Sequence, residues 1–149
     1  MDINGRNHLS YMVVSREWPG DAFTRGGHVI LDEHFSPRLD LMANMDGCNN
    51  PHEFQVLQNG SQAIYISSMV NETSISLVDW TGTGHGRVVN DCIYQINLRT
   101  ETKDFAWCPL DHGVSITESF IRTPDLLGTP DAPWDYLYVI ETSIGGTRS

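Results

Sequence analysis

The sequence predicts an all-β chain built from antiparallel four-stranded blades, as a partial β-propeller of about one and a half blades. Two observations carry this prediction. No run of about ten residues shows the apolar periodicity of a helix, and short segments rich in β-forming residues recur between turn sequences. The clearest of these segments fall within residues 52–109, which hold four predicted strands in succession. Four consecutive antiparallel strands are the size of one propeller blade, so this block is predicted as a full blade.

Two hairpins define the full blade. The first turns at residues 58–61, Gln-Asn-Gly-Ser, where the Asn-Gly pair favours a tight connection. A polar, Gly-rich segment at residues 79–87 is predicted as a loop from its composition. The second hairpin turns at residues 99–101, and its last strand ends before Pro109. The four predicted strands are residues 54–57, 63–68, 92–98 and 103–108.

The flanking segments are predicted as parts of neighbouring blades within one partial propeller domain, residues 1–149. Residues 1–46 are expected to form an incomplete blade with a turn at residues 33–37. Residues 110–149 are expected to be a loop and the start of a further strand, an apolar run at residues 134–140 that opens another blade. Stacked blades bury each other's faces, so the exposed faces and edges here predict truncation or a homo-oligomer. The strands predicted in the first segment are residues 8–14, 28–32 and 39–42.

The charge of the chain restricts its partners. Nineteen acidic residues against nine basic ones give a formal net charge of −10, and such a surface repels a phosphate backbone. Nucleic acid is therefore excluded as an expected partner, and an anionic small molecule is expected only where Arg or His is concentrated locally. No apolar run approaches the roughly 20 residues of a membrane span, and no signal peptide is predicted near the start.

The three cysteines, Cys48, Cys92 and Cys108, match neither a zinc-site spacing nor a dense disulfide framework, so no metal site is predicted. If residues 99–101 form a three-residue loop, Cys92 directly opposes Cys108, and opposed Cβ atoms lie about 4.5–5.5 Å apart, near disulfide reach. A register slip of one residue would separate the two thiols. The three-residue loop needs a positive φ at Glu101, and a disulfide would need an oxidising compartment.

Several ordered motifs resemble the arylsulfotransferase (aryl sulfate sulfotransferase) propellers, with the fungal branch closest. Residues 52–60, His-Glu-Phe-Gln-Val-Leu-Gln-Asn-Gly, resemble that family's His-(Asp/Glu)-x-x-x-Leu-x-Asn-Gly hairpin. Residues 26–32 and 92–112 are similar to two further stretches of the family. The resemblance covers about residues 5 to 138 and rests on the order of these motifs.

The resemblance implies a transferase chemistry and a location. The bacterial enzymes of the family move a sulfuryl group from a phenolic sulfate ester to another phenol through a transiently sulfated histidine. The resemblance therefore implies aryl sulfates and phenols as small-molecule partners, with no metal and no cofactor. Family members are generally secreted six-bladed propellers, whereas no signal peptide is predicted here, so the sequence leaves the compartment open.

Four residues are candidates for the site. His52 begins the full blade and is the candidate catalytic residue; the alternative is a structural histidine that contacts a neighbouring blade. His85 and Arg87 would bind substrate by holding an anion in the Gly-rich loop; the alternative is a solvated loop. His112 is a further candidate for substrate binding; the alternative is a residue that packs against or caps a turn.

One departure from the family pattern weakens the expectation of catalysis. Tyr138 stands where the family has a site histidine, and Ile140 stands where it has an asparagine. The expected function is therefore that of a truncated arylsulfotransferase-like fragment that is inactive alone. Two alternatives stay open: a non-catalytic binding or assembly module, and a subunit that is active only as an oligomer.

Overall fold

The computed structural model describes residues 2–3, 5–15, 25–40, 48–57, 60–74, 84–119, 128–129 and 133–137. Within these ranges the regular structure is almost entirely β-strand, which confirms the all-β prediction. Helical structure is limited there to short 3-10 turns, among them Leu110–His112 and Ile116–Glu118. None of the described helices is long and apolar enough to cross a membrane. The described strands are β1 (Asp2–Ile3), β2 (Arg6–Asn7), β3 (Leu9–Ser15), β4 (Arg25–Leu31), β5 (Pro37–Asp40), β6 (Cys48–Val56), β7 (Gln62–Ser74), β8 (His85–Asn97), β9 (Lys103–Trp107) and β10 (Trp134–Asp135).

The larger sheet is built on β7 and β8, two strands of 13 residues each. β6, β7, β8 and β9 pair in succession and antiparallel, as the sequence predicts for this block. The pairing of β7 with β8 is continuous from Gln62 opposite Asn97 to Ser74 opposite His85. Long uninterrupted pairing of this kind lets each strand satisfy the backbone groups of the other.

The prediction of a loop at residues 79–87 is wrong for residues 85–87, which open β8. Gly86 pairs with Thr73 on one side, and on the other side the backbone N–H of Arg87 donates to the carbonyl oxygen of Gly128 at 2.7 Å. A side chain at Gly128 would be excluded, because its Cβ would lie 2.9 Å from the carbonyl oxygen of Arg87 and its φ is +67°. Tertiary pairing thus overrides a composition typical of a loop.

β10 joins the same sheet. Trp134 and Asp135 pair in parallel with Val88 and Val89. Two strands share the edge of β8 opposite to β7. β10 pairs with the first half of β8, and β9 pairs with the second half. The sequence predicts that the run beginning at Trp134 opens another blade, whereas the structure places its first two residues on the sheet of the full block.

A second, three-stranded sheet contains β3, β4 and β5 in antiparallel order. The turn between β4 and β5 is stabilised by Asp32, whose carboxylate accepts the backbone N–H groups of His34 at 2.8 Å and Ser36 at 2.9 Å. These hydrogen bonds lower the pKa of Asp32. The turn lies where the sequence predicts it, at the segment that ends in Pro37.

The two sheets share one hydrophobic core. Tyr65 and Tyr94 lie directly opposite each other on β7 and β8, and their rings stack with centroids 5.4 Å apart. From the smaller sheet, His28 stacks on Phe54 of β6 at 4.5 Å. Burial of this shared face is the main force that holds the sheets together. The buried members of the core are Ile30, Leu39, Ala63, Tyr65, Cys92, Tyr94, Ile96 and Cys108.

The β8–β9 hairpin departs from its predicted loop length. The loop has four residues, Leu98 to Glu101, because the N–H of Asn97 donates to the carbonyl oxygen of Thr102 at 2.9 Å. A bulge at Asp104 then shifts the register by one residue, since Gln95 pairs with Phe105 but Ile96 pairs with Lys103. The bulge offsets the longer loop and restores the register assumed for a three-residue loop.

That register brings the two cysteines of the hairpin together. The structure contains a disulfide between Cys92 and Cys108, whose Cα atoms are 4.3 Å apart. Cα atoms of residues opposed in a non-hydrogen-bonded antiparallel pair are about 4.5 Å apart. The disulfide ties the end of β9 to the middle of β8. The side chain of Cys48 lies outside the described part of the chain.

Candidate functional site

Two of the sequence-predicted substrate-binding residues, His85 and Arg87, lie at the start of β8. His85 is paired with Ser74 and Arg87 with Glu72, and both basic side chains are exposed. Residues two apart on a strand project to the same face, so His85 and Arg87 share one face of the sheet. They do so from a strand and not from the predicted loop.

His112, the third predicted substrate-binding residue, is far from this pair. It lies in the 3-10 turn that follows Pro109, and its ring stacks on Trp107 with centroids 5.7 Å apart and planes at 9°. Trp107 pairs with Ile93, which is eight residues along β8 from His85. At 3.3 Å per residue that separation is about 26 Å, so the structure does not bring His112 to the other two residues.

His52, the predicted catalytic residue, lies in β6, but its side chain is outside the described part of the chain. Tyr138 and Ile140 lie outside the described residues as well. The roles assigned to His52 and to the position of Tyr138 therefore stay predictions.

The described residues form a pocket of about 610 Å³ at a different place. It lies where the smaller sheet meets the tips of the two hairpins of the larger sheet. The tips are joined to each other, because the N–H of Leu98 donates to the carbonyl oxygen of Ser61 at 2.8 Å. The lining residues are His8, Ile30, Arg38, Leu39, Gly60, Ser61, Leu98, Arg99 and Glu101.

Basic groups are concentrated in this pocket. Arg38 and Arg99 are two of only nine Lys and Arg residues in a chain of net charge −10, and His8 joins them. Among the described residues, neither guanidinium forms a salt bridge. A guanidinium presents a planar fork of N–H donors that matches the oxygens of a sulfate, phosphate or carboxylate. The pocket is therefore the local concentration of positive charge that an anionic ligand would require.

The orientation of His8 is set by its own backbone neighbourhood. Nδ1 of His8 lies 2.9 Å from the carbonyl oxygen of Arg6. A carbonyl oxygen only accepts hydrogen bonds, so Nδ1 of His8 is the donor and carries a proton.

The rest of the lining combines three aliphatic side chains with Gly60, Ser61 and the carboxylate of Glu101. Ile30 and Leu39 belong to the shared core, and Leu98 packs against it. The loop that carries Arg99 is held in place by Asn97, whose side-chain oxygen accepts the backbone N–H of Arg99 at 2.9 Å. Aliphatic side chains and guanidinium groups that line one pocket suit a ligand with an apolar body and an anionic end.

A second electrostatic feature lies at the β8–β10 junction, and its residues do not line the pocket. Asp91 is 1% exposed and accepts a hydrogen bond from the hydroxyl of Ser68. Asp135 lies on the same face of the sheet, because its partner Val89 is two residues from Asp91. Burial, and then the charge of Asp91, raise the pKa of Asp135 to about 6. Burial is also the main cause that raises the pKa of Tyr136 to about 12, with Asp91 and Asp111 adding to it.

The pocket residues could not be identified from the sequence. His8 has no cluster of chemical groups near it in the sequence, and Arg38 in β5 is more than 60 residues from Arg99 in the β8–β9 loop. The one relevant signal in the sequence is the scarcity of basic residues, because a cluster of two arginines among only nine basic residues indicates an anion-binding site. No described group of three or more His, Cys, Asp or Glu side chains is arranged to hold a metal ion.

Comparison of the chain with protein-family models, with curated proteins and with solved structures finds no match.

Proposed function

We propose that the chain binds an organic anion with an apolar body in the pocket between the smaller sheet and the hairpin tips. The observation that carries the proposal is the convergence of Arg38, Arg99 and His8 on one apolar-walled pocket of an otherwise acidic chain. Charge-assisted hydrogen bonds from guanidinium groups are the strong polar contacts for an oxyanion, and the wall supplies apolar contact area.

Aryl sulfates are the ligand class that the family resemblance adds to this proposal. A sulfate ester offers three oxygens to the two guanidinium groups, and its aromatic ring would lie against Ile30, Leu39 and Leu98. We include in the proposal that the chain contains blades of an arylsulfotransferase-like propeller. The four strands that pair in succession support this architecture, and the disulfide supports an oxidising compartment such as that of secreted proteins.

The proposed role is binding and not sulfuryl transfer by the chain alone. His112 lies about 26 Å along the sheet from His85, and neither lines the pocket. Transfer needs a nucleophile, a base and anion-binding groups within hydrogen-bond reach of one substrate. A turnover assay with 4-nitrophenyl sulfate and phenol, run over a hundredfold range of protein concentration beside light scattering, should show no product at any concentration. Product that appears only in oligomeric samples would favour the oligomeric enzyme.

Titration calorimetry with phenyl sulfate tests the binding proposal. Arg38→Gln and Arg99→Gln should each weaken binding about tenfold, the value of one charge-assisted hydrogen bond. Arg87→Gln removes an exposed positive charge from the first part of β8, which does not line the pocket, and should change the affinity less than twofold, since exposed charges far from a site are screened. Phenol, which lacks the anion, should bind much more weakly than phenyl sulfate.

The Arg87→Gln variant also tests whether the anion binds instead at the sequence-predicted residues His85 and Arg87 on β8. If this variant loses affinity and Arg38→Gln and Arg99→Gln do not, the anion binds at β8 and the pocket proposal is wrong. Equal affinities for phenol and phenyl sulfate would contradict the proposal in either position.

A further inference from the structure

One carboxylate lines the proposed anion pocket beside the two arginines, and it belongs to Glu101. Its backbone has φ of 58°, the left-handed region that few residues other than glycine adopt. The N–H of Glu101 donates to the carbonyl oxygen of Asn97 at 2.8 Å, which holds that conformation. Glycine meets the needs of such a turn at lower cost, so the turn alone does not account for an acidic side chain at this position.

Glu101 changes the charge balance of the pocket. Two guanidinium groups and one carboxylate, with His8 counted as neutral, leave a net charge of +1. A singly charged ligand is matched by that balance. A doubly charged ligand leaves one negative charge uncompensated in a chain whose net charge is already −10.

We propose that Glu101 is a specificity residue that makes the pocket accept singly charged organic anions in preference to doubly charged ones. This inference rests on the proposed function, because it takes the pocket to be the anion-binding site. The pocket would discriminate between ligands by charge, because a repulsive group in its lining disfavours the dianion. Repulsive groups are a common way to exclude a competing ligand.

The test compares phenyl sulfate, a monoanion, with phenyl phosphate, which is a dianion at pH 8, by titration calorimetry. The two ligands share one ring and differ in the charge of the anionic group. Two unit charges about 6 Å apart in water give about a threefold change in affinity per unit of ligand charge. Glu101→Gln should therefore strengthen phenyl sulfate binding about threefold and phenyl phosphate binding about tenfold. The ratio of the two affinities should shift toward the dianion by about threefold.

Glu118→Gln is the matched control, since it removes the same charge from an exposed side chain in a 3-10 turn that does not line the pocket. It should leave the affinity ratio unchanged. Glu101→Gly is a second variant that removes the carboxylate and suits the positive φ, so it should reproduce the shift even if Glu101→Gln folds poorly.

The outcomes separate the two proposals. If wild type binds phenyl sulfate but neither Glu101 variant changes the ratio, or Glu118→Gln changes it equally, the charge discrimination is wrong and the pocket stands. If neither ligand binds to wild type or to the Glu101 variants, the pocket proposal is wrong and the role of Glu101 is refuted with it.

Discussion

Asp135→Asn should make the protein more stable at neutral pH, although it replaces a partly buried polar group. The Oδ1 atom of Asp135 is buried without a hydrogen-bond partner among the described residues, and Asp91 lies on the same face. Ionisation of Asp135 therefore places a second negative charge beside a buried carboxylate. An asparagine keeps the shape of the side chain and stays uncharged at every pH.

The size of the effect follows from the pKa of Asp135, which is raised from 3.8 to about 6 in the folded protein. A shift of about two units corresponds to about 3 kcal/mol, and the partial exposure of the carboxyl group reduces this to about 1–2 kcal/mol. A carboxyl group whose folded pKa lies above its unfolded pKa stabilises the fold in its protonated form. That contribution is fully present below pH 3.8 and is lost as the pH rises through about 6.

The assay is urea unfolding followed by tryptophan fluorescence, from pH 4 to pH 8. Trp134 is 4% exposed and adjoins Asp135, so its emission should respond to release of β10. The variant should exceed wild type by about 1–2 kcal/mol at pH 8 and match it near pH 4. Glu118→Gln, at an exposed position in the 3-10 turn Ile116–Glu118, should differ from wild type by a nearly constant amount over this range. A difference for Asp135→Asn that is constant with pH, or a loss of stability at pH 8, would refute the reasoning.

Two further predictions concern covalent and backbone restraints. Replacing Cys92 and Cys108 together by serine should lower the free energy of unfolding by about 3 kcal/mol in non-reducing urea titrations, because the disulfide closes a loop with a sequence separation of 16. A reductant should have no further effect on this variant. A loss of stability below about 1 kcal/mol would contradict the estimate. Gly128→Ala should cost about 2 kcal/mol and speed amide hydrogen exchange at Trp134, because its φ is +67° and the new Cβ meets the Arg87 carbonyl oxygen. Gly113→Ala has a similar φ of +76° but open space around the Cβ, so it should cost less; equal losses would show that the contact with Arg87 is unimportant.

The strands that the sequence predicts best are those with strong local signals. The β6–β7 hairpin, the segment rich in β formers at residues 92–98 and the turn before Pro37 depend on neighbours in sequence, and each lies where expected. The prediction that Cys92 opposes Cys108 is confirmed by the disulfide, but it assumed a three-residue loop, whereas the loop has four residues. It holds because a bulge at Asp104 offsets the fourth loop residue, and a bulge has no clear signature in a single sequence.

Features that depend on distant segments were not predictable. β10 pairs with residues that precede it by 46 positions, and the Gly-rich start of β8 is a strand only because β7 and Gly128 flank it. The pocket likewise draws on His8, Arg38 and Arg99, which belong to three separate turns or strand ends. The composition indicates that an anion site would need a local excess of Arg or His. The position of that excess depends on how the two sheets pack, which the composition does not reveal.

The divided edge of β8 has a consequence for the order in which the chain folds. The β7–β8 and β8–β9 pairings join neighbouring strands and close short loops, whereas β10 must return over a long stretch of chain, which is entropically costlier. Pro109, directly after the disulfide, has no N–H to extend β9, so the docking position for β10 stays vacant while the hairpins form. We therefore expect β10 to acquire protection from hydrogen exchange last during refolding, in a step slower than formation of the hairpins.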